Sequence, residues 1–191
     1  MNKKHLETIA VLDYGSQYTQ LIARRIRENN IYSEIFPFDV SINKIKNKNI
    51  KAIILSGGPS SVYDNDAPML NTELLNLKIP ILGICYGLQL LLYNSGGKII
   101  KGRVGEYGHA TINQSIDNIL FDKIPNQINV WMSHADKVEE INNNWKILAK
   151  SKNKIIAAVQ HLHKPIFAVQ FHPEVTHTDF GKEIISNFLF K

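Results

Sequence analysis

The first half of the chain alternates short apolar runs with segments of helical length, and each apolar run stops at a sharp polar or glycine-rich corner. Apolar runs occupy residues 8–12, 31–36, 51–55 and 79–83, and helices are predicted over 18–29, 69–77 and 88–93. Strands that alternate with helices form a parallel sheet that is covered on both faces. This alternation therefore predicts an open α/β sheet with its corners at the carboxyl ends of the strands, where ligand sites form.

The pattern changes after Gly97, where short β-like runs follow one another without intervening helices. These runs lie at 98–100, 128–131, 146–149, 155–160 and 166–170, and a last helix is predicted over 178–190. The second half is therefore expected to be a smaller mixed or antiparallel part that folds back on a mostly parallel central sheet. At 191 residues the chain is long enough for one core, and we predict a single domain over 1–191.

Composition limits the classes of partner. The chain is 44% hydrophobic and 20% charged, no apolar run approaches the ~18 residues of a membrane span, and no signal peptide is predicted. The net charge of +5 comes from lysines spread along the chain, and the densest basic segment, 44–51, lacks the interleaved aromatics of single-strand binders. A single cysteine fits a reducing compartment. We therefore expect a cytoplasmic location and neither a nucleic-acid nor a membrane partner.

The one cysteine lies in the corner that follows the fourth apolar run, within the stretch Gly83-Ile84-Cys85-Tyr86-Gly87. A strand-to-helix turn of the form Gly-x-nucleophile-x-Gly exposes its central side chain clear of the sheet, and the glycines relieve crowding. The N–H groups at the start of the next helix favour a thiolate there. The alternative is a small buried core residue. The glycines favour the nucleophile, because a core cysteine needs no such turn.

A nucleophilic cysteine needs a base, and His172 follows an apolar run closely. Along an extended backbone, Glu174 would point to the same side and could orient the imidazole. An isolated His-x-Glu pair is more often a surface feature. Two pairs of histidines compete as metal ligands, His161/His163 and His172/His177, but no third ligand accompanies either pair, so zinc is not predicted.

The corner after the third apolar run reads Ser56-Gly57-Gly58-Pro59. It lacks the lysine and spacing of a P-loop, and it lacks the aspartate of the similar loop in ATP pyrophosphatases. Glycine backbone can approach a ligand closely, so the interpretation that remains is an oxyanion hole of backbone N–H groups.

These three elements occur in the order found in the triad, or class I, glutamine amidotransferases, which the chain resembles from Thr8 to its end. The resemblance implies a flavodoxin-like α/β fold. Four stretches resemble the glutaminase domains of GMP synthetases more closely than other members of the family: 12–20, 105–108, 130–137 and 172–177.

The resemblance also implies a role for each site residue. Cys85 would be the nucleophile, His172 the base and Glu174 its orienter, while the backbone N–H groups of Gly58 and Tyr86 would hold the oxyanion. The substrate would be L-glutamine, attacked to give a γ-glutamyl thioester and ammonia. Its binding residues would be Gln89, Ser133, His134, Ala135 and Asp136. The family commonly has glycine at the position of Ala135.

In the resembled enzymes an ATP-pyrophosphatase unit adenylates xanthosine monophosphate and uses the ammonia to make GMP. No segment of this sequence matches that unit. It is expected on a partner subunit or on the rest of a longer fused enzyme, and ATP and Mg²⁺ are expected only there, with no cofactor or metal in this domain. Three alternatives stay open: a glutaminase for another synthase (anthranilate or carbamoyl phosphate), a cysteine hydrolase or peptidase on the same scaffold, and a binding module with a dead site.

Overall fold

The computed structural model describes residues 7–191, without the side chains of residues 103 and 104. Nine strands lie within these residues: Thr8–Asp13 (β1), Tyr32–Pro37 (β2), Ile50–Leu55 (β3), Ile81–Ile84 (β4), Lys98–Gln114 (β5), Gln127–Glu140 (β6), Trp145–Ser151 (β7), Ile156–His161 (β8) and Ile166–Val169 (β9). The helices are Thr19–Glu28 (α1), Ile42–Lys46 (α2), Tyr86–Asn94 (α3) and Gly181–Phe190 (α4), with 3₁₀ turns at Thr72–Asn76 and Ile119–Phe121.

All nine strands form one sheet in the order β2-β1-β3-β4-β9-β8-β7-β5-β6. The neighbours from β2 to β9 pair in parallel, and those from β9 to β6 pair antiparallel. Because β1 lies between β2 and β3, the chain reverses direction across the sheet at this point. Because β1, β3, β4 and β9 run in parallel, the turns that follow them lie together at the carboxyl ends of the strands, where ligands bind in open α/β sheets.

Helices cover both faces of the sheet, as the alternation predicts. On one face α1 and α4 bury Ile22, Ile26, Ile184 and Phe188 in one apolar cluster with β1, β3 and β4. On the other face α3 buries a run of leucines together with Ile45 of α2. The α/β prediction, the parallel first half and the mixed second half are therefore confirmed, since β9 pairs in parallel with β4 and antiparallel with β8.

Several boundaries differ from the sequence prediction. The helix expected over 69–77 is wrong, because only the 3₁₀ turn Thr72–Asn76 forms there and the Asn71 side chain accepts from Glu73 N–H at its start. The runs 98–100 and 128–131 are parts of the long strands β5 and β6, whose pairing shifts register between Lys101 and Glu106. The short helix α2 was not anticipated.

Two lysines of the lysine-rich segment 44–51 pack against side chains of β2. Lys48 Nζ lies 2.6 Å from Glu34 Oε1, and Lys44 and Lys48 lie over the ring of Phe36 at 5.6 and 5.3 Å. Among the described residues, no helix is long and apolar enough to cross a membrane.

Candidate active site

Cys85 lies at the turn between β4 and α3 with φ 52° and ψ −103°. A positive φ is strained for any residue with a side chain, and such strain persists only where the surroundings enforce it. Here the enforcement is tight packing: a Cβ on Gly83 would lie 2.7 Å from the carbonyl carbon of Gly87, and one on Gly87 would lie 2.6 Å from Leu55 O. Both positions must therefore be glycine for the turn to form.

The Cys85 thiol is only 4% exposed, so the expectation of a thiol exposed at the turn is wrong. Two elements from the second half of the chain cover it. Sγ lies 3.6 Å from the carbonyl oxygen of Ser133 on β6, and Nε2 of Gln170, just after β9, lies 3.7 Å from Sγ. The thiol is nevertheless reached from a cavity that opens at this edge of the sheet.

His172 and Glu174 meet directly, with Nδ1 of the imidazole 2.7 Å from Oε1 of the carboxylate. The segment that carries them is a loop with a turn at 173–174 rather than the extended backbone expected. Glu174 is fully buried and does not line the cavity, whereas His172 does. Cys85 and His172 thus line the same cavity, with the Glu174 carboxylate behind the imidazole, and the roles of these three residues stay a prediction.

Two opposing effects set the pKa of His172. Burial, the largest single effect, lowers it, but the Glu174 carboxylate and the hydrogen bond and charge of Cys85 together outweigh burial and raise the pKa well above its usual value. The surroundings of His172 therefore favour the imidazolium over the neutral imidazole. An imidazolium beside a cysteine sulfur favours the thiolate, which is the nucleophilic form.

The loop around His172 is fixed by contacts to distant parts of the chain. His172 N–H donates to Trp131 O on β6 at 3.0 Å, and the Thr178 hydroxyl donates to His172 O at 2.6 Å. Arg25 of α1, which sequence reasoning missed, is buried and donates from Nε to Glu174 O at 2.8 Å. The Tyr18 ring packs edge-on against the imidazole at 5.2 Å. These contacts keep the imidazole and carboxylate in one arrangement.

The cavity has a volume of about 670 Å³, which is within the range of small-molecule sites. Nine of the predicted site residues line it: Gly58, Cys85, Tyr86, Gln89, Ser133, His134, Ala135, Asp136 and His172. The structure thus brings together nine of the ten predicted site residues at one cavity, with the tenth, Glu174, behind His172.

The glycine loop after β3 forms one wall of the cavity. A Cβ on Gly58 would lie 2.5 Å from Tyr14 O, so no side chain fits there. Among the described residues, no acceptor binds the backbone N–H of Gly58 or of Tyr86. Both groups are therefore free to donate to a ligand oxygen, and their assignment as the oxyanion hole stays a prediction.

The segment from Ser133 to Asp136 is tied to its surroundings by its own polar groups. Asp136 O accepts from Nε2 of Gln89 at 3.1 Å and from Nδ1 of His134 at 2.8 Å, and Asp136 Oδ2 accepts from the Ser61 hydroxyl at 2.5 Å. Ala135 is exposed and does not have a positive φ, so its methyl group causes no backbone strain. The Gln89, His134 and Asp136 side chains thus already have partners that shape the wall.

His134 also faces Glu106 of β5, with Nε2 3.6 Å from Oε2. Burial lowers the pKa of His134 and outweighs the raising effects of the Asp136 carbonyl and the Glu106 carboxylate. The surroundings of this histidine therefore favour the neutral imidazole, whereas those of His172 favour the imidazolium.

Sequence reasoning missed several residues that line the cavity or support it: Ser16, Gln17 and Tyr18 after β1, Ser61 after β3, Lys101 and Tyr107 on β5, and Gln170 after β9. The stretches 12–20 and 105–108, which resemble the glutaminase domains of GMP synthetases, contain four of them. The signal for Gln170 was a polar residue inside an apolar run.

Metal sites were not expected. His163 N–H donates to Nδ1 of His161, whose ring packs against Trp145 at 5.1 Å. Nowhere in residues 7–191, apart from side chains 103 and 104, do three or more His, Cys, Asp or Glu side chains form a group that could hold a metal ion.

Comparison with known proteins shows the family of the chain. The chain belongs to the class-I glutamine amidotransferase family, whose model matches residues 10–191. Two curated relatives, both 50% identical to this chain, are the GMP synthases [glutamine-hydrolyzing] of Thermosipho melanesiensis and Borrelia garinii subsp. bavariensis, matched over 97% and 98% of it. The chain spans only 36% and 35% of their lengths.

A solved structure supports the fold along nearly the whole chain. It is that of a putative GMP synthase subunit from Thermoplasma acidophilum, 30% identical, with a TM-score of 0.83 over 97% of this chain and 93% of that one.

Proposed function

We propose that this chain is the glutaminase component of a GMP synthase and hydrolyses L-glutamine through a Cys85 thioester. The observation that carries the proposal is the gathering of Cys85, His172 and Glu174 at one site: Cys85 and His172 line a cavity of about 670 Å³, and the imidazole lies 2.7 Å from the Glu174 carboxylate. A peptidase or a dead binding module is less well supported, because the curated relatives above are named glutamine-hydrolysing enzymes.

In the first step the Cys85 thiolate attacks the side-chain amide carbon of glutamine. The carbonyl oxygen becomes an oxyanion, and the free N–H groups of Gly58 and Tyr86 are available to donate to it. The His172 imidazolium gives its proton to the amide nitrogen, the carbon–nitrogen bond breaks, and ammonia leaves. A γ-glutamyl thioester remains on Cys85.

In the second step neutral His172 takes a proton from water, which attacks the thioester carbon. The carbon–sulfur bond breaks, glutamate leaves, and Cys85 returns as a thiolate beside an imidazolium. Glu174 stabilises the imidazolium before the first step and after the second through its contact with Nδ1, which leaves Nε2 as the nitrogen that exchanges the proton.

We propose further that the ammonia is used by an ATP-pyrophosphatase unit which aminates xanthosine monophosphate, and that ATP and Mg²⁺ bind only there. The names of the relatives support a link to GMP synthesis, and the two thirds of their length that this chain does not span leave room for such a unit. The single cysteine is consistent with work in a reducing cytoplasm.

The test is coupled turnover. The chain is mixed with the part of the Thermosipho melanesiensis relative that lies outside the match, together with ATP, Mg²⁺, xanthosine monophosphate and glutamine, and glutamate and GMP are measured together. We expect GMP to form from glutamine and glutamate release to rise by about a hundredfold over the chain alone, because docking can aim the Gly57-Gly58 turn at the oxyanion.

The Cys85→Ala variant is the matched control, since it should support GMP synthesis from an ammonium salt but not from glutamine. The GMP assignment is contradicted if the rate of glutamate release is the same with and without the partner and xanthosine monophosphate, and no GMP is made from glutamine. That result would not contradict the proposed cysteine chemistry. Loss of GMP synthesis from ammonium shows only that the partner unit is inactive, so this arm is run first.

A further inference from the structure

Gln170 is a polar side chain buried without full hydrogen bonding beside the reactive sulfur. It is fully buried between Val169 and Phe171, which are also fully buried. Its Nε2 lies 3.7 Å from Cys85 Sγ, and its Oε1 has no partner among the described residues. Burying an amide with an unsatisfied oxygen destabilises a fold, so such a group calls for an explanation other than packing.

We infer that Gln170 is a catalytic residue of the proposed glutaminase, whose side-chain N–H donates to the Cys85 thiolate and stabilises it during attack and departure. A hydrogen bond to a charged acceptor is about twice as strong as one to a neutral acceptor, so an N–H donor favours the thiolate over the thiol. The carbonyl oxygen of Ser133, 3.6 Å from Sγ, stabilises the thiol instead of the thiolate, because it can only accept the thiol proton.

Gln170 can donate a hydrogen bond to the sulfur at every step of the cycle, whereas His172 cannot. His172 loses its proton to the leaving ammonia and so changes charge during the reaction, whereas an amide keeps its N–H groups at every step. When water cleaves the thioester, the sulfur leaves as a thiolate, and the Gln170 N–H is already within reach of the charge that develops. The backbone of Gln170 is held in place, since its backbone N–H donates to Ala157 O on β8 at 2.9 Å.

Titratable side chains line the cavity around the sulfur from several elements, among them those of Tyr18, Asp64, Tyr86, Lys101, Tyr107 and Asp136. His172, with Glu174 behind it, lies on the loop after β9, and His134 lies on β6 with Glu106 of β5 behind it. None of these is changed in the test variants, so a changed cysteine titration reports on residue 170.

The test uses Gln170→Met, which removes both N–H donors at similar volume, and Gln170→Glu, which adds a like charge. Cys85 is the only cysteine, so its alkylation by iodoacetamide gives one signal that can be followed against pH. For Gln170→Met we expect alkylation at neutral pH and kcat to fall about 10-fold to 100-fold, with KM for glutamine nearly unchanged. The midpoint of the alkylation profile should rise, and it should rise further in Gln170→Glu.

The matched control is Gln160→Met on β8, the same substitution at a half-buried glutamine with no contact to the sulfur. It should leave the alkylation profile and kcat unchanged. A Gln170→Met variant that melts at a lower temperature but keeps the unmodified profile and kcat overturns the inference and leaves only a structural role.

If neither Gln170 variant folds, the side-chain amide resonances of Gln170 are followed by NMR in the unmodified chain. These resonances are assigned by connecting them to the backbone resonances of the same residue. Its proton resonances should shift with the titration of Cys85 and in Cys85→Ala, and resonances unmoved by both overturn the inference. The inference rests on the proposed function, but the two fail differently. A chain that shows the Gln170-dependent alkylation profile yet releases no glutamate removes the proposed function and keeps the thiolate contact.

Discussion

Replacing Cys85 with alanine is expected to abolish glutamine hydrolysis, with a fall in kcat of at least about 10³-fold. No other thiol exists in the chain to form the thioester, and water alone must then attack an unactivated amide. The measurement is glutamate release at saturating glutamine by the purified variant and the unmodified chain. Glutamate release that persists in the alanine variant would contradict covalent catalysis by Cys85.

The control for this variant is its stability. Cys85 is buried in an apolar cluster, so loss of the sulfur should lower the free energy of unfolding by about 1 kcal/mol. Alanine has a Cβ as cysteine does, so the substitution does not relieve the strain of the positive φ at the turn and this term does not change the free energy of unfolding. A melting temperature close to that of the unmodified chain therefore separates loss of chemistry from loss of fold.

Replacing His172 with alanine is expected to be about as damaging as losing the cysteine, whereas Glu174→Gln should retain about a hundredfold more activity. His172 transfers a proton in both steps, so neither step is completed without it. Glu174 acts through Nδ1 at 2.7 Å, and a glutamine oxygen can still accept that hydrogen bond although the charge is lost. The measurement is kcat for the two variants under the same conditions.

His163→Ala supplies the matched control, because this histidine is exposed and absent from the cavity lining. It should leave kcat unchanged. A dispensable His172 together with an essential His161 or His163 would show that the base is wrongly assigned.

The sequence predicts the parallel part of the fold well because its strands are buried on both faces. The runs that became β1, β3 and β4 are apolar at nearly every position, and each stops where a turn residue is required. The corner at Cys85 is equally readable, since only glycine fits at 83 and 87. These signals can be read from short stretches of sequence, even though the contact that requires glycine at position 87 is made with Leu55 on β3.

Features that depend on distant contacts could not be predicted in this way. Arg25 has a charged side chain on a surface-type helix, yet it is buried because Glu174 O, 149 positions away, accepts from it. The start of α4 at Gly181 rather than 178 follows from Thr178 and Asp179, which bind the backbone of β6. Burial of the Cys85 thiol has the same origin, since β6 and the loop after β9 cover it.

Covalent labelling of the unmodified chain by a diazo-ketone analogue of glutamine tests the central claim, that Cys85 attacks the glutamine side chain, most directly. The account predicts one analogue per chain, located at Cys85 by peptide mass mapping, with protection by glutamine and loss of glutaminase activity in proportion to labelling. Attachment at another residue, or full labelling of Cys85 with glutaminase activity intact, would contradict it.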